Sequence, residues 1–223
     1  MSRTEPPIKL KTTLPSTIPT VTISRYVADN AGHNVKRMAT LPRMGDEMEA
    51  ELALRCCDEY KAAMAVSRLN LSNGSLKFEF FPQLLSGQAR RHWDAAAGPY
   101  AANQTNNTFQ TAMEEWLANY MEDTAYMDQK EYFVNATKAF SMTVKETASR
   151  IKQIVAYMTM MPGYPGGAVD VYTENELKMV FYRVMRPNWK VKFDASGNDI
   201  TDAGYTWENL VRWMGAQERA ERA

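Results

Sequence analysis

The stretch "TVKETASRIKQIVAYMTMMPGYPGG" (Thr143–Gly167) constrains the fold more than any other part of the chain. Thr143 with Glu146 three residues on is a capping box, the local signature of a helix start. Val144, Ala148, Ile151, Val155 and Met158 then recur at helical spacing, and "MPGYPGG" forbids continuation. A helix with one apolar stripe must lay that stripe on another element. The fold class therefore turns on what the rest of the chain supplies to cover it.

It supplies more of the same. Thr173 with Glu176 is a second capping box, followed by Leu177, Val180, Phe181 and Val184 and closed by Pro187. Thr206 caps a last helix carrying Trp207, Leu210, Val211 and Met214. Upstream, Asp46 with Glu49 predicts a helix over 46–69 through Met48, Leu52, Cys56, Tyr60 and Ala63. Pro82 opens another, with Leu85, Ala89, Trp93 and Ala96 on one face and Gly98-Pro99 at its end. Asn107 with Gln110 caps a stripe of Phe109, Met113, Trp116, Leu117, Tyr120 and Met121, and a further helix runs from about Tyr126 to Ala139. "LKFEFFP" fits either an extended run or the start of a helix. The pattern predicts an all-α protein. Residues 1–40, rich in Pro and Thr, read as an extended arm in which "TVTISRYV" can pair as a short strand. The helices fall into a group over 41–125 and a group over 126–223.

Charge and motif content narrow the function classes. The 223 residues carry 26 basic and 26 acidic side chains, so the net charge is zero, where a phosphate-gripping domain shows a basic excess. No run of about 18 apolar residues predicts a transmembrane helix, and the first residues hold no secretory apolar region. An intracellular, cytoplasmic setting is therefore expected, which makes the Asn-x-Ser/Thr matches at Asn70, Asn103, Asn106 and Asn135 chance occurrences. The two cysteines, Cys56 and Cys57, are adjacent, point about 100° apart on a helix, and suit a reducing compartment better than a disulfide or a zinc site. No phosphate loop, nucleophile elbow or His-rich metal spacing occurs. A Cys57–His92 pair lacks an activating context. The expectation is no enzyme, no cofactor and no metal.

Methionines gather late, at Met158, Met160, Met161, Met179 and Met185. Met fills core gaps and also serves adaptable contact surfaces. Tyr157, Met160 and Met161 lie off or at the edge of the stripe that starts at Val144, so they are candidates for an exposed apolar patch and an intersubunit interface.

"LLSGQARRHW" (Leu84–Trp93) resembles the L-x-G-x-A-x-x-x-W signature of Gag capsid proteins of long-terminal-repeat retrotransposons, through Leu85, Gly87, Ala89 and Trp93. Phe109, Trp116 and Leu117 stand where that family carries its next aromatic helix. The segment from Met127 to Gly163 is similar to one of algal and protist Gags, with Gln129, Lys130, Tyr132, Val144, Arg150 and Pro162 in step. "ENELKMVFYRVMRPNW" resembles the following family helix through Glu176, Leu177, Pro187 and Trp189. Ala148 departs from the family, which often has a bulky aromatic there, and no zinc knuckle is present. The resemblance implies a two-lobed helical capsid domain whose many copies self-assemble into a shell around element RNA, with the RNA held through a region outside this chain and no membrane partner. It also implies that Gly87 lets its helix approach a neighbour and that Trp93 plugs the first lobe's core. A helical nucleocapsid or coat protein of an RNA virus, or a Gag-derived binding module, are the alternatives.

Overall fold

The computed structural model describes residues 6–11, 14, 17–29, 31–65, 67–167, 170–202 and 204–222. The protein is mostly helical, with one two-stranded sheet. It divides into two compact units. Unit 1 contains Thr13–Asp123; unit 2 contains Thr124–Ala223 together with the short segment Pro7–Thr12.

Unit 1 begins with an antiparallel hairpin, β1 (Thr20–Ala28) and β2 (Asn34–Pro42), in the register Thr20↔Pro42 to Ala28↔Asn34. Ile23, Val27 and Leu41 point inward, and the hairpin packs on α1 (Ala50–Ala63) and on the 3-10 turn Phe81–Leu84. Its arginines hold the turn beyond α1: Arg25 donates to the Asn70 carbonyl at 2.5 Å and Arg37 to that of Arg68 at 3.1 Å. Residues 20–40 are therefore part of a folded unit, and the arm expected over 1–40 is not one object. Residues 1–5 lie outside the described residues.

Then come α2 (Gly74–Phe80), α3 (Gly87–Ala97) and α4 (Asn106–Ala118). "LKFEFFP" resolves as helix α2, capped by Asn73, whose side chain accepts from Leu76 N at 2.9 Å. Thr105, with Thr108, caps α4 in place of the expected Asn107. Several residues of "NQTNNT" are able to cap, and spacing alone does not choose among them.

Unit 2 is built from α5 (Ala125–Asn135), α6 (Val144–Met158), α7 (Glu174–Val184), α8 (Pro187–Ala195) and α9 (Trp207–Arg222). Both capping boxes form: Thr143 with Glu146, and Thr173 with Glu176. Pro187 ends one helix and, as the first residue of α8, begins another; the N-terminal position leaves no proline N–H to satisfy. α6 packs on α9, and α7 on both α5 and α9.

Among the described residues, no helix is long and apolar enough to cross a membrane.

Candidate functional site: an aromatic hub and a seat for extended main chain

The residues of the Leu85–Trp93 motif meet inside unit 1. Met44 runs beside Leu85 as an isolated parallel bridge: Met44 N donates to Leu84 O at 2.9 Å and Ser86 N to Met44 O at 2.9 Å. Gly87 follows as the first residue of α3, at φ +52, a left-handed conformation that glycine adopts without steric cost. A Cβ there would lie 2.1 Å from Asp46 Oδ1. That carboxylate oxygen accepts from Gln88 N at 2.7 Å, so Asp46 sits on the positive end of α3 and not at the start of α1. Gly87 therefore makes room for a carboxylate from another part of unit 1, where the family resemblance implied close approach of two helices.

Ala89 and Trp93 are buried on the inner face of α3. The Ala89 carbonyl accepts from Trp116 Nε1 at 3.0 Å, which satisfies the indole and pins α4 to α3. The Trp93 ring centroid lies 4.6 Å from Phe81, 5.9 Å from Phe78 and 5.7 Å from Phe109. Trp93 is thus a buried member of an aromatic core that Phe81 and Phe109 join together. Trp189 does similar work in unit 2. It is buried, and its Nε1 donates to Glu221 Oε1 at 2.6 Å. Glu221 also accepts from Asn188 and pairs with Arg186 at 2.9 Å, tying α8 to the end of α9.

Neither pairing considered for chemistry is activated. Cys57 is buried and its thiol is pushed up to about 12 by desolvation; Cys56 is raised for the same reason. A reactive thiol needs the opposite shift. His92 packs its ring 5.6 Å from that of Tyr120. Among the described residues, no group of three or more His, Cys, Asp or Glu is placed to hold a metal ion.

Tyr157, Met160 and Met161 do not form an exposed patch. They are 1%, 8% and 4% exposed. The reason lies in α6, which is covered along two adjacent lines. Val144, Ala148, Ile151 and Met158 mark the expected one, with its fifth member Val155 only half-buried; Arg150, Ile154 and Tyr157, continued by Met161, mark a second. Residues at the edge of a single stripe are interior once a neighbouring face is covered too.

That second line leads to the feature the sequence concealed. The segment Pro7–Lys11 is part of unit 2, and two buried side chains, Gln129 and Arg150, and the half-buried Tyr132 read its main chain. Gln129 makes a two-point contact with Ile8: Ile8 N donates to Oε1 at 2.5 Å, and Nε2 donates to Ile8 O at 3.1 Å. Tyr132 OH accepts from Leu10 N at 3.0 Å. Arg150 donates from Nε to Leu10 O at 3.2 Å and from Nη2 to Lys9 O at 3.1 Å. Ile8 and Leu10 are buried while Lys9 and Lys11 are exposed, the period-two alternation of an extended chain with one face down. A cleft of about 600 Å³ opens beside Leu10 and Lys11, walled by Met142, Ser149, Arg150 and Gln153. Gln129, Tyr132 and Arg150 belong to the run matched to the Gag pattern. No spacing rule connects them to a segment more than a hundred residues upstream.

No protein-family model, no curated protein and no solved structure matches this chain.

Proposed function

We propose that this chain is a self-assembling structural protein of the Gag capsid type, whose copies build a shell that encloses RNA held by a region outside this chain. The observation that carries the proposal is the placement of the resemblance residues. Leu85, Ala89, Trp93 and Trp116 are buried in unit 1 with Gly87 at the exposed start of the same helix, and Gln129, Tyr132 and Arg150 all hold the segment 8–10 in unit 2. That these residues take packing and main-chain-holding roles supports the reading that the resemblance lies in the fold. The action is association without a reaction, and weak repeated contacts suffice because many copies multiply them.

Negative-stain microscopy and sedimentation of the purified chain over a series of protein and salt concentrations test this reading. Closed particles or a ladder of oligomers are expected. A chain that stays monomeric throughout would count against it. The seat for extended main chain favours a second reading, a Gag-derived binding module. That reading expects peptide binding by a chain that forms no particles.

A further inference from the structure

We infer that the seat on α5 and α6 is an exchangeable peptide site whose occupant in the assembled protein is the Pro7–Lys11 segment of a second copy. The inference rests on the self-association proposed above and gives it a named contact.

Three observations support it. The first is the mode of recognition. Five main-chain groups of the segment are engaged: both of Ile8, the carbonyl of Lys9 and both of Leu10. Two alternate side chains, Ile8 and Leu10, are buried as anchors. This is how folded domains bind separate extended peptides, with affinity from the main chain and specificity from every second side chain. Second, all the groups that read the segment lie within Thr124–Ala223, and Pro7–Thr12 is the one piece of unit 2 that comes from before residue 124. An empty seat would leave the buried Gln129 and Arg150 without these main-chain partners, so there is a standing drive to fill it. Third, the segment is a short piece carried ahead of a folded unit: residues 12–19 join Lys11 to β1 of unit 1, so exchange moves one small element between copies, which is the low-cost route of domain swapping. The contacts are the same whichever copy supplies the segment, and the balance is set by local concentration. Many copies held side by side raise that concentration. The occupant inferred is the neighbour's segment for this reason.

Two full-length variants test the exchange. Ile8→Asp with Leu10→Asp spoils the segment and leaves the seat. Gln129→Leu spoils the seat and leaves the segment; Tyr132→Phe takes its place if Gln129→Leu fails to give a native far-UV spectrum and melt. Each variant alone is expected to sediment as smaller species than the native chain. Mixed in equal amounts and labelled with different fluorophores, they are expected to form a mixed complex, because one intact segment then meets one intact seat. A fluorescent peptide of residues 5–12 is expected to bind the first variant saturably and the native chain at least about tenfold more weakly, since the native seat is filled. Native-like association of the first variant by itself overturns the exchange, and so does a mixture that never yields the mixed complex. Failures of the two readings are distinguishable. Native chains that swap segments in closed pairs without building particles support the exchange and count against the shell. Particles that form undiminished from the first variant support the shell and overturn the exchange.

Discussion

The two units place their polar groups differently. In unit 1 the interior is aromatic and aliphatic, and the polar atoms taken inside belong to amphipathic rings: Trp116 Nε1 donates to Ala89 O, and Tyr60 OH donates to Lys77 O at 3.0 Å. In unit 2 four polar or charged residues among those described are buried: Gln129, Thr147, Arg150 and Lys178. Three of them hold pieces of chain far away in sequence. Gln129 and Arg150 hold residues 8–10, and Lys178 Nζ holds the carbonyls of Asp202 at 3.1 Å and Tyr205 at 2.6 Å. Apolar burial is non-directional and tolerates small shifts. A buried amide or cation accepts one geometry and is costly to leave without it. Unit 1 is thus closed mainly by volume, while unit 2 is closed by a small number of directional contacts, one set of which a second copy is able to supply.

The largest effect that tests this contrast is Trp93→Ala. It removes a buried ring from the unit 1 core and is expected to destabilise that unit by about 3–5 kcal/mol. Amide exchange resolved by unit should show the loss across α2, α3 and α4, with unit 2 unchanged. A loss below about 1 kcal/mol would mean that Trp93 does not organise the core. Lys178→Met keeps the side-chain length in unit 2 and removes the donor. The expected cost is about 2–3 kcal/mol, from two acceptors left without a charged partner. Its signature is local, with faster exchange over 202–210 before the rest of unit 2 responds. An even, unit-wide loss would mean that unit 2 is closed by volume as unit 1 is.

Much of this organisation was legible in the sequence wherever both partners of an interaction are near neighbours. The capping boxes at Thr143–Glu146 and Thr173–Glu176 are of that kind, as are the stripes behind them and the stops at Pro162 and Gly98. What escaped depends on distant partners. Asp46 has the spacing of a cap for α1, but its carboxylate is used at Gln88, 42 residues on. Lys178 sits beside the expected stripe residue Leu177, yet the lysine is buried and the leucine is only half-buried. The carbonyls that make this possible come from 202 and 205. The strand signal "TVTISRYV" was visible, but its partner strand was not separable from an arm. The seat for Pro7–Lys11 left only the short alternation Ile8-Lys9-Leu10-Lys11, which names no partner because the occupant is held through its backbone.

A smaller effect is expected at Gly87, where two causes coincide. Gly87→Ala meets the left-handed φ and the Asp46 carboxylate together, and about 1–2 kcal/mol of unit 1 stability should be lost. Asp46→Ala removes the second cause and leaves the first. The double variant separates them: if the clash with Asp46 matters, Gly87→Ala costs less when Asp46 is already gone. Strict additivity would mean that the backbone conformation alone demands glycine.

The smallest effect concerns acid, and it divides the units by sign. In unit 2, Glu146 and Glu176 are held below the ordinary glutamate value of 4.5, first by the backbone N–H of the capping threonine and then by its hydroxyl; Glu221 is held down first by the Trp189 indole. A carboxylate whose folded value is depressed contributes stability above its unfolded value, and that contribution disappears as pH falls through the folded value. In unit 1 the carboxyl of Asp58, on the exposed side of α1, is shifted the other way, raised from 3.8 chiefly by desolvation. Its contribution is fully present below the unfolded value and is lost as pH rises through the folded one. Lowering the pH from about 6 toward about 3 should therefore loosen the starts of α6 and α7 and the α8–α9 junction while leaving unit 1 unaffected or slightly firmer. These glutamates are solvent-exposed, so salt screens part of the effect and the shift is small. Amide NMR across the titration resolves the two units. Earlier broadening in unit 1 than in unit 2 would mean that the capping carboxylates do not set the acid limit, and Glu146→Gln, which keeps an acceptor but cannot titrate, should flatten the response at α6 alone.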